Sequence, residues 1–215
     1  MLIPHILSTS FQYQQGVKDT AVWKPTEAGI FSCASALEIC RHRQNTGVIS
    51  NQIWHKQIPF KISFLVWRAL RCKLLTNETL ANFGVEPARC FYCIKQGWDD
   101  VDHIFNEGPF ATHIWTYFSS TMEANSQQTS LSNRLLNWWE IQGENEAHKT
   151  LVQTVPIVVC WNLWKNRCLA KYGAKKSSSS RVKYIIFKDI LYILNSKFPY
   201  IQWPVKWPEV VDMAE

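Results

Sequence analysis

Apolar residues in this chain recur mostly three and four positions apart, and that period predicts helices rather than strands. In PFKISFLVWRALRCK (59–73), a proline suited to opening a helix precedes Ile62, Leu65, Val66, Ala69 and Leu70 at helical spacing. LLTNETLANFG follows, with Thr76 or Asn77 as cap, Glu78 in the first turn and Gly84 placed to close the helix in a left-handed conformation. FATHIWTYF (110–118) sets Phe110, Ile114 or Trp115, and Phe118 on one side. Nearer the start, FSCASALEICRHR predicts a short helix capped by Ser32 or Ser35, apolar at Leu37, Ile39 and Cys40, with Arg41 and Arg43 at its C-terminal end.

A second block begins with LSNRLLNWWEI and continues in a long helical pattern from about Thr150 to Tyr172. Pro156 falls in its first turns, which predicts a start or a kink there. Another pattern runs from about Ser180 to Ser196, joined by KKSSSS, whose last serines offer a cap. Residues 121–130 are polar and predict a linker, and the prolines of FPYIQWPVKWPEVVDMAE predict an extended tail. No repeat and no sustained alternation occurs. The expected fold is mainly α: an irregular segment 1–21, a small helical module 22–120, a linker 121–130, a helical connector 131–198 and an extended tail 199–215.

Composition adjusts this picture slightly. With 215 residues, 47% hydrophobic and 19% charged, the chain suits one domain or two small ones and lies far from the disordered class. Eleven tryptophans predict heavy aromatic packing. A net charge of +6 permits contact with nucleic acid without requiring it. The longest apolar run, VPIVVCWNLW, is broken by Asn162 and is far short of the roughly twenty residues a bilayer demands, so no membrane insertion is expected. Seven cysteines without a disulfide framework, and an N-terminus without a secretion signal, predict reduced thiols in the nucleus or cytoplasm.

The candidate chemistry lies in CFYCIKQGWDDVDHIFNEGPF (90–110). Cys90 and Cys93 have the spacing that lets two thiolates meet one tetrahedral metal from a single turn, and His103 offers a third corner. Spacing alone leaves zinc ligation, a redox pair and coincidence open, although the redox reading lacks its βαβ context. Asp99, Asp100 and Asp102 carry carboxylates that suit metal chemistry, but they read rather as a solvated loop. Lys61, Arg68 and Arg71 fall near one another on their helix, with Lys73 just beyond, and read either as a solvated face or as a stripe for phosphates.

In order, WKPTEAGIFSCASA, IWHKQIPFKISFLVWRALRCKLLTNETLANFG, CFYC and DHIFNEGPFATHIW resemble the zinc-binding domain of plant non-LTR retrotransposon reverse transcriptases. The resemblance implies a place between polymerase and ribonuclease H domains, with VVCWNLWKNRCLAKYG and PYIQWPVKWPEV similar to the helical connector that follows. It also implies zinc on Cys90, Cys93 and His103, while the family's fourth cysteine falls on Gly108, leaving water, His113 or Glu107 as substitutes. The implied partners are RNA or DNA and the neighbouring polymerase and ribonuclease H domains. No catalysis is expected: the only Asp-Asp pair, in GWDD, has Gly97 where a polymerase turn carries an aromatic residue, and no stretch offers a sheet-borne carboxylate cluster for two metal ions. The alternative expectation is an interaction domain, or an inactive remnant without metal.

Overall fold

The computed structural model describes residues 16, 18, 21–40, 48–85, 89–91, 99–124, 129–173 and 175–215. Among them the regular structure is helical, without a sheet. Contacts divide the chain into Met1–Asn45 and Thr46–Glu215.

In the first unit, α1 (Cys33–Cys40) starts on a reciprocal serine cap: the Ser35 amide donates to Ser32 Oγ at 3.1 Å and the Ser32 amide to Ser35 Oγ at 3.2 Å. Ser32 is thus the cap that the sequence suggests, satisfying donors that the first turn leaves free. No residue of α1 is buried, and the expected apolar positions Leu37 and Ile39 stand exposed. Arg41 and Arg43 lie outside the described residues, as does nearly all of the expected irregular segment 1–21.

The second unit is built around one helix. Its elements are α2 (Val48–Ile53), α3 (Phe60–Leu70), α4 (Asn77–Ala81), a π-helical turn (His103–Glu107), α5 (Pro109–Ser119), α6 (Leu131–Trp139), α7 (Glu146–Tyr172), α8 (Ser179–Lys197) and α9 (Trp207–Ala214). Helix α7 is apolar on nearly every side of its middle, as a fully surrounded helix must be, and it packs on α2, α3, the π turn, α5, α6, α8 and α9. Pro156 does not begin this helix. The start lies ten residues earlier, where Asn145 Oδ1 accepts from the Ala147 and His148 amides at 2.8 and 3.1 Å, and Pro156 is buried within the helix. Ser178 caps α8 by accepting from the Arg181 amide at 3.3 Å, and Thr76 caps α4 by accepting from Thr79 at 3.1 Å; Gly84 then takes φ +78°.

Two expectations need correction. The tail is not extended throughout: Lys206 precedes α9, in which Pro208 occupies the first turn, where a missing amide donor costs nothing. Trp207, Val210, Val211 and Ala214 then bury one face of α9 in the core, so the prolines mark a helix start rather than its absence. The core also takes residues from both sides of 121–130, including Trp115 and Phe118 on one side and Leu135 and Trp138 on the other. That segment therefore lies inside the second unit, whereas the division marked by contacts falls between Asn45 and Thr46. Among the described residues no helix is long and apolar enough to cross a membrane.

Candidate metal centre

The ligand segment is held by its acidic residues. Asp100 Oδ1 accepts from the His103 amide at 2.7 Å, and the Ile104 amide reaches the Asp100 carbonyl at 3.1 Å, which starts the turn. Closure at the other end runs from the Gly108 amide to the His103 carbonyl at 3.1 Å, a five-residue step that produces the π geometry. Ile104, Phe105 and Asn106 are buried by this turn. The Phe105 carbonyl accepts from Trp115 Nε1 at 2.6 Å, and Asn106 Oδ1 accepts from Arg134 Nε at 2.6 Å. The turn is thereby fixed from α5 and α6, and Asp102 Oδ1 adds a bond from the Leu131 amide at 2.6 Å.

Asp99 does more than either neighbour. Its side chain and that of Arg167 are almost fully buried, and they meet at 2.5 Å. The Asn77 amide donates to Asp99 Oδ2 at 3.3 Å, and Arg167 lies 4.8 Å above the centre of the Trp164 ring. The loop reading of the three aspartates is therefore overturned for Asp99: it is a buried, paired charge joining the end of the ligand loop to α4 and α7.

Three of the four corner positions are described, and they come together. Cys90 is buried and hydrogen-bonded to His103, and both line a cavity of about 10 Å³ together with Gly108, Ile104, Phe110, Ala111 and Leu163. That volume is at the lower limit for one water-sized particle. A Cβ placed on Gly108 would lie 3.3 Å from His103 Nε2, so position 108 does face the imidazole. The hydrogen bond that the protonated imidazole donates to Cys90 Sγ raises the pKa of His103; partial burial opposes it, and the charges of Cys90, Asp100 and Glu107 reinforce it. Cys93 lies outside the described residues. Among those described, no three His, Cys, Asp or Glu side chains form a metal-holding group, so the donors present are a thiol and an imidazole. These two are of the type zinc prefers. His113 pairs through Nε2 with Lys183 Nζ at 2.9 Å across to α8, and it does not line the cavity beside Cys90 and His103.

The four basic residues take separate places. Arg68 directs Nε and a terminal nitrogen to the Lys73 carbonyl at 3.1 and 2.5 Å, which closes the end of α3. Lys61 lies 5.6 Å over the Trp161 ring, Arg71 lies 6.0 Å over Trp67, and Lys73 is exposed. Between them runs a feature the sequence reading missed: Trp54, Phe60, Phe64 and Trp67 form a continuous stack, with ring centres 5.3, 5.6 and 5.7 Å apart and planes within 26°. Trp54, Phe60 and Phe64 are exposed despite their size. The signal was available, because Phe60, Phe64, Trp67 and Arg71 are spaced by four, three and four residues and so share one helix side, away from the buried stripe.

With this geometry in view, the comparisons with known proteins agree with the ligand segment. Residues 31–115 match the family model for zinc-binding in reverse transcriptase. That matched segment holds all three expected ligands and position 108, and it ends on Trp115, the residue that anchors the π turn. A curated protein of Arabidopsis thaliana, named "Putative ribonuclease H protein", is 23% identical over 176 residues, which is 79% of this chain. The chain spans only 28% of that relative's length. No solved structure matches. Both findings run with the resemblance stated from the sequence: the matched segment contains the candidate ligands, and the relative is a plant protein.

Proposed function

We propose that this chain is a non-catalytic module of a retrotransposon-type polyprotein, and that it holds single-stranded nucleic acid beside polymerase and ribonuclease H domains. The observation that carries this reading is the exposed stack from Trp54 to Trp67, ended by the Arg71 guanidinium. Stacked rings open to solvent accept bases of any sequence, at about 1–3 kcal/mol per base, and a neighbouring cation serves the backbone. In the same reading zinc sits on Cys90, Cys93 and His103 and stiffens the corner from which α5 departs; the metal has no part in a reaction.

Binding of labelled oligouridine, followed by fluorescence anisotropy at several salt concentrations, tests the proposal. Single strands should bind better than duplexes, and Phe60→Ala with Phe64→Ala should weaken binding by tenfold or more, or about 1.4 kcal/mol. Equal affinity in the double variant would overturn the role of the stack. Primer extension or RNA cleavage by the purified chain, abolished by chelator, would overturn the non-catalytic assignment.

The same exposed apolar row favours a second reading, in which it docks on a neighbouring protein domain. Absence of RNA binding together with concentration-dependent self-association would favour that alternative.

A further inference from the structure

Beside the stack, on the adjoining side of α3, lies a groove of about 420 Å³ between the start of that helix, α7 and α8. Its volume is within the range of small-molecule sites, about 300–1,000 Å³. Ile62, Val158 and Ile193 supply apolar walls, and the Trp161 ring lies between them. Two ammonium groups converge on that ring, Lys61 Nζ at 5.6 Å from its centre and Lys165 Nζ at 5.5 Å. Among the described residues one carboxylate lines the groove. Asp189 is already engaged, accepting from Asn162 Nδ2 at 2.9 Å and standing 3.7 Å from Lys165 Nζ. Lys61 has no carboxylate partner among the described residues, so a positive charge is left over. Tyr192 stands at the rim with 77% of its surface exposed.

We propose that this groove binds one nucleotide unit. Each accessible feature finds its complement in that ligand: a phosphate between Lys61 and Lys165, and a base plane against Tyr192. A simple anion would leave Tyr192 unused, and an uncharged ring would leave Lys61 unused. The inference rests on the nucleic-acid reading above and adds to it a defined subsite, where one nucleotide of the strand leaves the stack and is held by its phosphate.

The test uses the whole chain. Calorimetric titration with uridine monophosphate, uridine and inorganic phosphate is compared with anisotropy of labelled oligouridine, for the wild type and for Lys61→Glu, Lys61→Met and Tyr192→Ala. Lys61 and Tyr192 are exposed, and thermal melting checks that each variant is folded. Uridine monophosphate should bind more tightly than either uridine or phosphate. Lys61→Glu should weaken it about tenfold or more, Lys61→Met less, and Tyr192→Ala measurably. Binding of the nucleotide with no binding of oligouridine would keep the groove and remove the strand-holding function. Binding of oligouridine that is unaffected by Lys61→Glu, with no nucleotide binding, would remove the groove and keep that function. If phosphate alone binds as tightly as the nucleotide, or if neither probe binds, the assignment of a nucleotide site is wrong.

Discussion

Replacing Gly108 by cysteine has two effects of opposite sign, and the structure separates them. A Cβ at this position would stand 2.2 Å from the His103 carbonyl oxygen, where real contacts do not fall below 3.0 Å. The obstacle is main chain, so a rotamer change cannot relieve it; the turn must open by about 0.8 Å or more, at the expense of the Gly108 to His103 hydrogen bond. Losing that bond costs about 1 kcal/mol, and displacing a packed turn brings the total to roughly 1–3 kcal/mol. For a chain of this size each kcal/mol lowers Tm by about 2–4 °C. Without zinc, therefore, Gly108→Cys should melt below the wild type. With zinc the order should reverse, because a further thiolate contributes part of the roughly 10 kcal/mol that complete finger sites gain from metal. Calorimetric melting with zinc and with chelator, alongside elemental analysis of protein purified without chelator, reads both effects. Adding Cys93→Ser should erase most of the zinc-dependent gain. If the chelated variant melts with the wild type, the turn does not close as described. If zinc raises the variant no more than the wild type, Cys90, His103 and position 108 do not surround a metal.

Arg167→Met strands the Asp99 carboxylate in the core with one amide donor, and should cost about 3–5 kcal/mol in urea unfolding; adding Asp99→Asn should recover part of the loss. Burial raises the Cys160 thiol to about 12. The unfolded chain loses this proton first as pH rises, so stability should decline between about pH 9 and 12, and Cys160→Ala should reduce that slope in unfolding measured across the range. Native Cys160 should also resist thiol reagents until the chain unfolds. Arg68→Ala should lower stability by about 0.5–1.5 kcal/mol, while Arg71→Ala should leave stability nearly unchanged and weaken oligouridine binding instead.

Local signals read well in this sequence, and distant ones did not. Pro59, Thr76, Gly84 and Ser178 act through neighbours within a few residues, so their positions announce their roles. Pro156 and Pro208 misled because a proline's effect depends on whether packing retains the helix around it or begins one at it. Asp99 was misread for a related reason: its partner Arg167 is sixty-eight positions away, and no spacing rule links them. The candidate metal corner is written in the sequence as residue types, of which the structure brings Cys90 and His103 together. Its closed π turn was not legible, since that depends on Gly108 lacking the atom that would meet His103.

The dependence of the corner on α6 and α7 has a practical side. Trp115 packs at 5.7 Å on Trp138, Asn106 and Asp102 are bound from Arg134 and Leu131, and Asp99 is neutralised by Arg167, yet all four of these partners lie beyond residue 115. Excising the segment that matches the zinc-binding family would therefore strip the π turn of its outside supports and expose Phe105 and Trp115 to water. A recombinant fragment cut at the family boundary should precipitate or remain molten even when supplied with zinc, whereas one spanning residues 46–215 keeps every anchor. The segment matched by sequence comparison thus stops short of the residues that anchor its ligand turn.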